Sequence, residues 1–168
     1  MTGAAPKSLW SDKFRMPAID ELRAELAKPL QPVFDAARSS LCDLDNLHEV
    51  LAWQGVPWRW TLVYRGRGDL QESTNHAAAS GPGRGFAYVI PDPARVQVCV
   101  PLTGALIETL PMRRFKKPVR DGVQLARSVA GVWWPTWDIA SAAAWEEVLE
   151  LVERKHKALL GAPEAVSA

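Results

Sequence analysis

The stretch from Val132 to Gly161, VWWPTWDIASAAAWEEVLELVERKHKALLG, constrains the fold most. It begins as a short aromatic strand carrying Trp133, Trp134 and Trp137. Pro135 removes one ladder donor, which places this strand on a sheet edge or at a bulge or kink. A helix follows, with apolar residues at Trp145, Val148, Leu149, Val152, Leu159 and Leu160. That spacing is the stripe of a helix laid on a core. Ser141 is placed to cap its first turn. Glu146 and Glu147 lie early and Arg154, Lys155 and Lys157 late, as the helix dipole favours. Glu150 with Arg154 and Glu153 with Lys157 are i, i+4 pairs, each worth about 0.2–0.5 kcal/mol. Gly161 is expected to end the helix in a left-handed conformation, with Pro163 preventing continuation.

The remaining 131 residues before this stretch must supply the sheet that the helix covers. With 168 residues in all, the chain has the length of one domain. The expected division is a flexible arm over residues 1–16, a single domain over 17–161 and a tail over 162–168. In the arm, Trp10 and Phe14 are four apart and can dock one turn onto the body. Pro17 suits a first helical position, with Ile19, Leu22 and Leu26 as a short stripe that Pro29 ends. Pro32 opens a second helix with Val33, Phe34, Ala37 and Leu41 as its apolar face. His48 to Trp53 reads equally as a last helical turn or an extended lead-in. Gly55 and Pro57 make a turn.

Arg59 to Arg65, RWTLVYR, alternates as a strand, with Trp60, Leu62 and Tyr64 on one face and Arg59, Thr61, Val63 and Arg65 on the other. Gly66 to Gly85 has no apolar period and is long for a connection, so it is expected to be a flexible insertion, a disordered tip or a lid. Phe86 to Ile90 and Arg95 to Leu102 form an antiparallel hairpin through Pro91 to Ala94. Val96, Val98, Val100 and Leu102 share a face. Thr103 caps a short helix carrying Leu106, Ile107 and Leu110. A weaker helix runs from Val119 to Val129 with Gly122 inside it. Antiparallel strands with helices gathered on one face define an α+β two-layer sandwich, here with a sheet of about four to five strands and a long C-terminal helix.

Three strings carry a family resemblance: WRWTLVYR at Trp58 to Arg65, FAYVIPDPARVQVCV at Phe86 to Val100, and WWPTWDI with the helix through Lys157. Together with the order of elements, they resemble the bacterial and archaeal domain-of-unknown-function family 3788, similar in layout to small α+β domains of the YdhG and YjbR type. The resemblance spans roughly Val33 to Leu160. It implies the fold and no reaction, since that family carries no established activity. The Gly66–Gly85 insertion and the N-terminal arm depart from its pattern.

Composition narrows the function classes. A net charge of +1 gives no global attraction to nucleic acid or membrane. No apolar run reaches membrane-helix length, and no signal-peptide core opens the chain. Cys42 and Cys99 make no disulfide framework and read as free thiols. These features predict a cytoplasmic protein. His48, His76 and His156 are far apart, none at helical spacing with another ligand type, so neither a metal nor another cofactor is expected. GPGRG at Gly81 to Gly85 lacks the Lys-Ser/Thr of a phosphate-binding loop.

The densest charge is RRFKKPVR, with Arg113, Arg114, Lys116, Lys117 and Arg120, which reads as a solvated basic loop or, less favoured, a phosphate contact. Strand alternation points to a further surface. If Trp60, Leu62, Tyr64, Val96, Val98 and Val100 face the helices, the other face shows Arg59, Thr61, Arg65, Arg95, Gln97 and Cys99. The last strand adds either Trp134, Thr136 and Asp138, or Trp133 and Trp137, according to register. Candidate ligand-binding residues are therefore Arg59, Arg65, Gln97, Trp134 and Asp138. The favoured reading is a non-catalytic module for an anionic or aromatic small molecule or a protein partner. The alternatives are a small enzyme with Asp138 or Glu49 as acid–base group beside an arginine, or a weak nucleic-acid binder through residues 113–120.

Overall fold

The computed structural model describes residues 7–66 and 85–161. The interior of the expected insertion, the start of the arm and the C-terminal tail lie outside the described residues. In chain order the elements are α1 (Ile19–Glu25), α2 (Gln31–Cys42), β1 (Leu47–Trp53), β2 (Trp60–Gly66), β3 (Ala87–Asp92), β4 (Arg95–Cys99), β5 (Leu102–Thr103), α3 (Gly104–Thr109), α4 (Lys117–Gln124), β6 (Ser128–Val129), β7 (Val132–Trp133), β8 (Thr136–Asp138) and α5 (Ala142–Leu160). This is an α+β fold. A five-stranded antiparallel sheet has the order β1-β2-β3-β4-β8. The ambiguous His48–Trp53 segment is its first strand, paired along its length with β2.

One sheet face carries Leu62, Tyr64, Val89, Val96, Val98 and Trp137, buried with Phe34, Ala37 and Leu41 of α2 and Trp145, Val148, Leu151 and Val152 of α5. The alternation of β2 and β4 therefore sets the core face as their sequences predict. Ser141 caps α5 by accepting a hydrogen bond from the Ala144 amide at 3.1 Å. Trp145 donates its indole N–H to Ser40 Oγ at 3.1 Å, and the His156 ring meets the Asp45 carbonyl at 2.7 Å, so both ends of the helical layer are tied.

Several expectations change. Gly161 has φ −93° and ends α5 without a left-handed residue. Among the described residues neither Glu150–Arg154 nor Glu153–Lys157 closes to an ion pair; these side chains stay solvated, where pairing gains little. The buried stripe of α5 includes Lys155, whose ammonium donates to the carbonyls of Phe86 at 2.9 Å and Pro101 at 2.6 Å and lies 4.7 Å from the Phe86 ring centroid. The stem packs as an aliphatic side chain while the head meets oxygen acceptors.

The expected strand Arg95–Leu102 breaks after Cys99, and the aromatic strand breaks between Trp133 and Thr136. Pro101 and Pro135 sit at these breaks and supply no amide to a ladder. The freed pieces build a second sheet of order β5-β7-β6. The helix expected at Val119–Val129 starts earlier and ends at Gln124, because Pro118 fits its first turn. Gly122 lets the helix approach Trp137: a Cβ there would stand 2.1 Å from the indole nitrogen, which donates to the Pro118 carbonyl at 3.2 Å. The arm, expected to be loosely held, is pinned near Trp10. Glu25 accepts hydrogen bonds from the Ser8 hydroxyl and the Leu9 amide, and Trp60 donates its indole N–H to the Asp12 carbonyl at 2.7 Å. Phe14 remains exposed.

Candidate functional site

The sheet face opposite the helices is set by register. Val50, Val63, Tyr88, Cys99 and Thr136 form one cross-strand row, and Ala52 and Thr61 continue toward Gln97 and Asp138 in the next. The centre of this face is closed from solvent, with Thr61, Val63, Tyr88 and Cys99 all buried. Trp58 enters from the turn before β2, and Trp134 from the break between β7 and β8. Their rings meet Tyr88 with centroids 5.1 and 5.9 Å away, and each other at 6.3 Å. These tilted and edge-on contacts are the favoured aromatic geometries. The Gly85 backbone closes in as well, its amide donating to the Tyr88 hydroxyl at 2.7 Å. A Cβ at Gly85 would lie 2.7 Å from Val63 Cγ1, so only glycine fits there without rearrangement. Burial pushes the Cys99 thiol up to about 12, and it packs here as a small neutral side chain.

Polar groups flank this aromatic centre. On one side Gln97 donates to Asp138 Oδ1 at 2.8 Å, and Arg95 stands 3.8 Å from both Asp138 and Asp92. Of the two registers open in the sequence, the one with Thr136 and Asp138 on this face is realised, and Trp137 goes to the core. On the other side Arg65 pairs with His48 across β1 and β2. Among the described residues, neither Arg65 Nε nor His48 Nδ1, both buried, has a hydrogen-bond partner. Buried polar atoms are nearly always satisfied, so two such atoms on one cross-strand pair call for an acceptor.

Arg59 does not share this face with Arg65. Its φ of +58° takes it out of the strand alternation, and its guanidinium lies 4.9 Å from the Trp10 ring centroid. Strand periodicity begins only at Trp60, so the argument from alternation fails at the residue before it. Of the five candidates, the structure joins Gln97 to Asp138, places Trp134 on the aromatic centre and Arg65 at its flank, and separates Arg59. Trp58, Tyr88 and His48 belong to the same face and were not singled out from the sequence. Trp58 reads as a turn residue after Pro57, and Tyr88 gains meaning only once the register sets it opposite Cys99.

Glu49 lies on the helix-covered side. It accepts from Arg38 at 2.8 and 3.1 Å and from the Tyr64 hydroxyl at 2.6 Å. Burial alone would raise its carboxyl, but the Arg38 and Tyr64 hydrogen bonds outweigh this and hold it below the ordinary value. Burial, with Glu49 beside it, also raises the Tyr64 hydroxyl. The group is a clamp between α2 and the sheet, fixed in its ionised form; a general acid or base needs a carboxyl poised near the working pH. The residues of the basic run lie on a 3₁₀ turn (Met112–Arg114) and the start of α4, with Arg113, Arg114, Lys116 and Lys117 exposed and Lys117 paired to Asp121 at 2.7 Å. Among the described residues no group of three or more His, Cys, Asp or Glu side chains is placed to hold a metal ion, and no helix is long and apolar enough to cross a membrane. A scan against protein-family models matches no family, and searches of curated proteins and of solved structures return no match.

Proposed function

We propose that the chain is a non-catalytic binding module whose ligand is an anion with an aromatic or planar body, held on the sheet face that carries Trp58, Tyr88 and Trp134. The observation that carries this reading is the pair of buried nitrogens of Arg65 and His48 beside the aromatic centre that have no hydrogen-bond partner among the described residues. A carboxylate or phosphate oxygen satisfies such donors, since a guanidinium favours planar and charged acceptors. The histidine serves in the tautomer that donates from Nδ1. The indoles offer stacking area at small conformational cost. The Gln97–Asp138–Arg95 group at the far side supplies hydrogen bonds that select orientation. The resemblance to the domain-of-unknown-function family 3788 stands beside this as a proposal about ancestry and adds no reaction.

The test is a thermal-shift screen of aryl carboxylates and nucleoside monophosphates, with affinities then measured by calorimetry on wild type, Arg65→Ala and Trp134→Ala. Both variants should weaken the compounds found by at least tenfold while remaining folded. Undiminished binding in both would refute the site. Binding lost only on neutralising Arg113 and Arg114 would move it to the basic run.

A further inference from the structure

A cavity lies on the far side of the break at Pro135 from the aromatic sheet face. Because that proline interrupts the last strand, Trp133 pairs with Leu102 in the small sheet instead of continuing into β8. Its ring is thereby delivered toward α3 and α4, opposite Gly104, where an added Cβ would stand 3.3 Å from the indole Cζ3. Between these elements is a cavity of about 410 Å³ lined by Gly104, Ile107, Glu108, Met112, Val123, Gln124 and Trp133. Small-molecule sites commonly begin near 300 Å³ and combine apolar walls with a few polar groups. Val123 is buried, Ile107, Met112 and Trp133 are half-buried, and Glu108 and Gln124 are exposed at the mouth. Glu108 is the only charged side chain in the lining, and among the described residues it forms no ion pair.

We propose that this cavity binds a small apolar cation, an amine or quaternary ammonium carrying a hydrocarbon or aryl group. The hydrocarbon part fills the space between Ile107, Met112 and Val123. The cation lies toward the Glu108 carboxylate and the Trp133 ring, since an indole face attracts ammonium groups within about 6 Å. The Gln124 amide gives a carbonyl acceptor for an N–H where the ligand has one. A cation is selected over an anion because the one fixed charge of the lining is negative. Arg113 and Arg114 are exposed on the turn after Met112 and do not line the cavity. This site shares no residue with the aromatic sheet face and does not depend on the function proposed there.

The experiment uses benzyltrimethylammonium and phenylacetate as probes, matched in aryl body and opposite in charge, with binding followed by ligand-observed NMR and calorimetry on the full chain. In the Arg65→Ala background, which removes the sheet-face site for aryl carboxylates, the chain should bind the cation at least tenfold more tightly than the anion. Glu108→Gln should remove at least tenfold of the cation's affinity and leave phenylacetate unchanged. Trp133→Ala removes packing from the small sheet, so Trp133→Leu serves as the second variant, expected to keep the fold and lose cation binding. Equal binding of the two probes in the Arg65→Ala background, or full cation affinity in Glu108→Gln, overturns the proposal. Arg65→Ala should leave the cation's affinity as in wild type, and a loss there would also overturn it by placing the cation on the sheet face.

Discussion

Trp145 is the residue whose removal tests the packing of the helical layer most directly. Its side chain is 2% exposed and lies in the main core with residues of α2 and the sheet, and its indole N–H is bonded to Ser40. Burying an aromatic side chain removes roughly 150–250 Å² from water. At about 25 cal/mol per Å² that is about 4–6 kcal/mol, an upper figure because unfolded chains already bury some surface. Core substitutions of tryptophan by alanine fall at about 3–5 kcal/mol. Losing the Ser40 bond is a small part of this, about 0.5–1.5 kcal/mol, because a half-exposed hydroxyl recovers water. For a chain of this length each kcal/mol moves the midpoint by about 2–4 °C, so Trp145→Ala should lower Tm by about 6–20 °C. The assay is thermal melting by circular dichroism with urea unfolding alongside. Phe14→Ala is the control, since Phe14 is 93% exposed and should change stability by less than about 0.5 kcal/mol. A Trp145→Ala midpoint within about 2 °C of wild type would show that α5 does not pack on the sheet through this residue.

Glu49→Gln should destabilise the fold by about 1–3 kcal/mol at neutral pH, the worth of charge-assisted hydrogen bonds from Arg38 and Tyr64, and chemical denaturation reads this directly. The pH dependence has a definite sign. Glu49 is depressed in the folded state, so the unfolded chain takes up the proton first; the stabilisation is present above the ordinary value of 4.5 and fades as pH falls through the folded one. Wild type should therefore lose more stability on acidification than Glu49→Gln, and parallel curves would count against the clamp. Gly122→Ala should be destabilising although alanine is the better helix former, because the new Cβ displaces Trp137 and breaks its bond to Pro118; an unchanged or raised Tm would contradict the close approach. Titration with a thiol reagent should find Cys42, which is exposed, reacting in native protein, and Cys99, buried and held neutral, reacting only after denaturation.

What the sequence conveys is largely what periodicity conveys. Leu62 with Tyr64, and Val96 with Val98, alternate toward the helices; α2 and α5 show their stripes; Thr103 and Ser141 cap the helices that follow them. The losses occur where a local rule meets a tertiary demand. Arg59 reads as the first residue of a strand, yet its left-handed backbone takes it to Trp10. Lys155 reads as a solvated charge at a helix end, yet it fills a core position because two carbonyls wait there. The run from Arg95 to Leu102 reads as one strand and serves two sheets. On the candidate face, Gln97, Trp134, Asp138 and Arg65 are legible from alternation and register. Trp58 and His48 are not, because a turn residue and an ambiguous segment show no face until the strands pair.

The order in which the ribosome delivers these parts gives the last strand and helix a further meaning. β1 to β4 are sequence neighbours that pair in turn and close by local turns or an excursion between β2 and β3, so this meander can zip as it emerges. The outer edge of β4, however, is paired by β8, and the core face it shares with β3 is closed by α5, the last element among the described residues. A nascent chain stalled short of Thr136 therefore carries an open strand edge beside uncovered valines, the pattern from which edge-to-edge aggregation starts. Emergence of α5 is the step that ends this exposure, so the chain's yield in cells should depend on how quickly α5 follows β4, and variants that lack α5 should accumulate as insoluble protein.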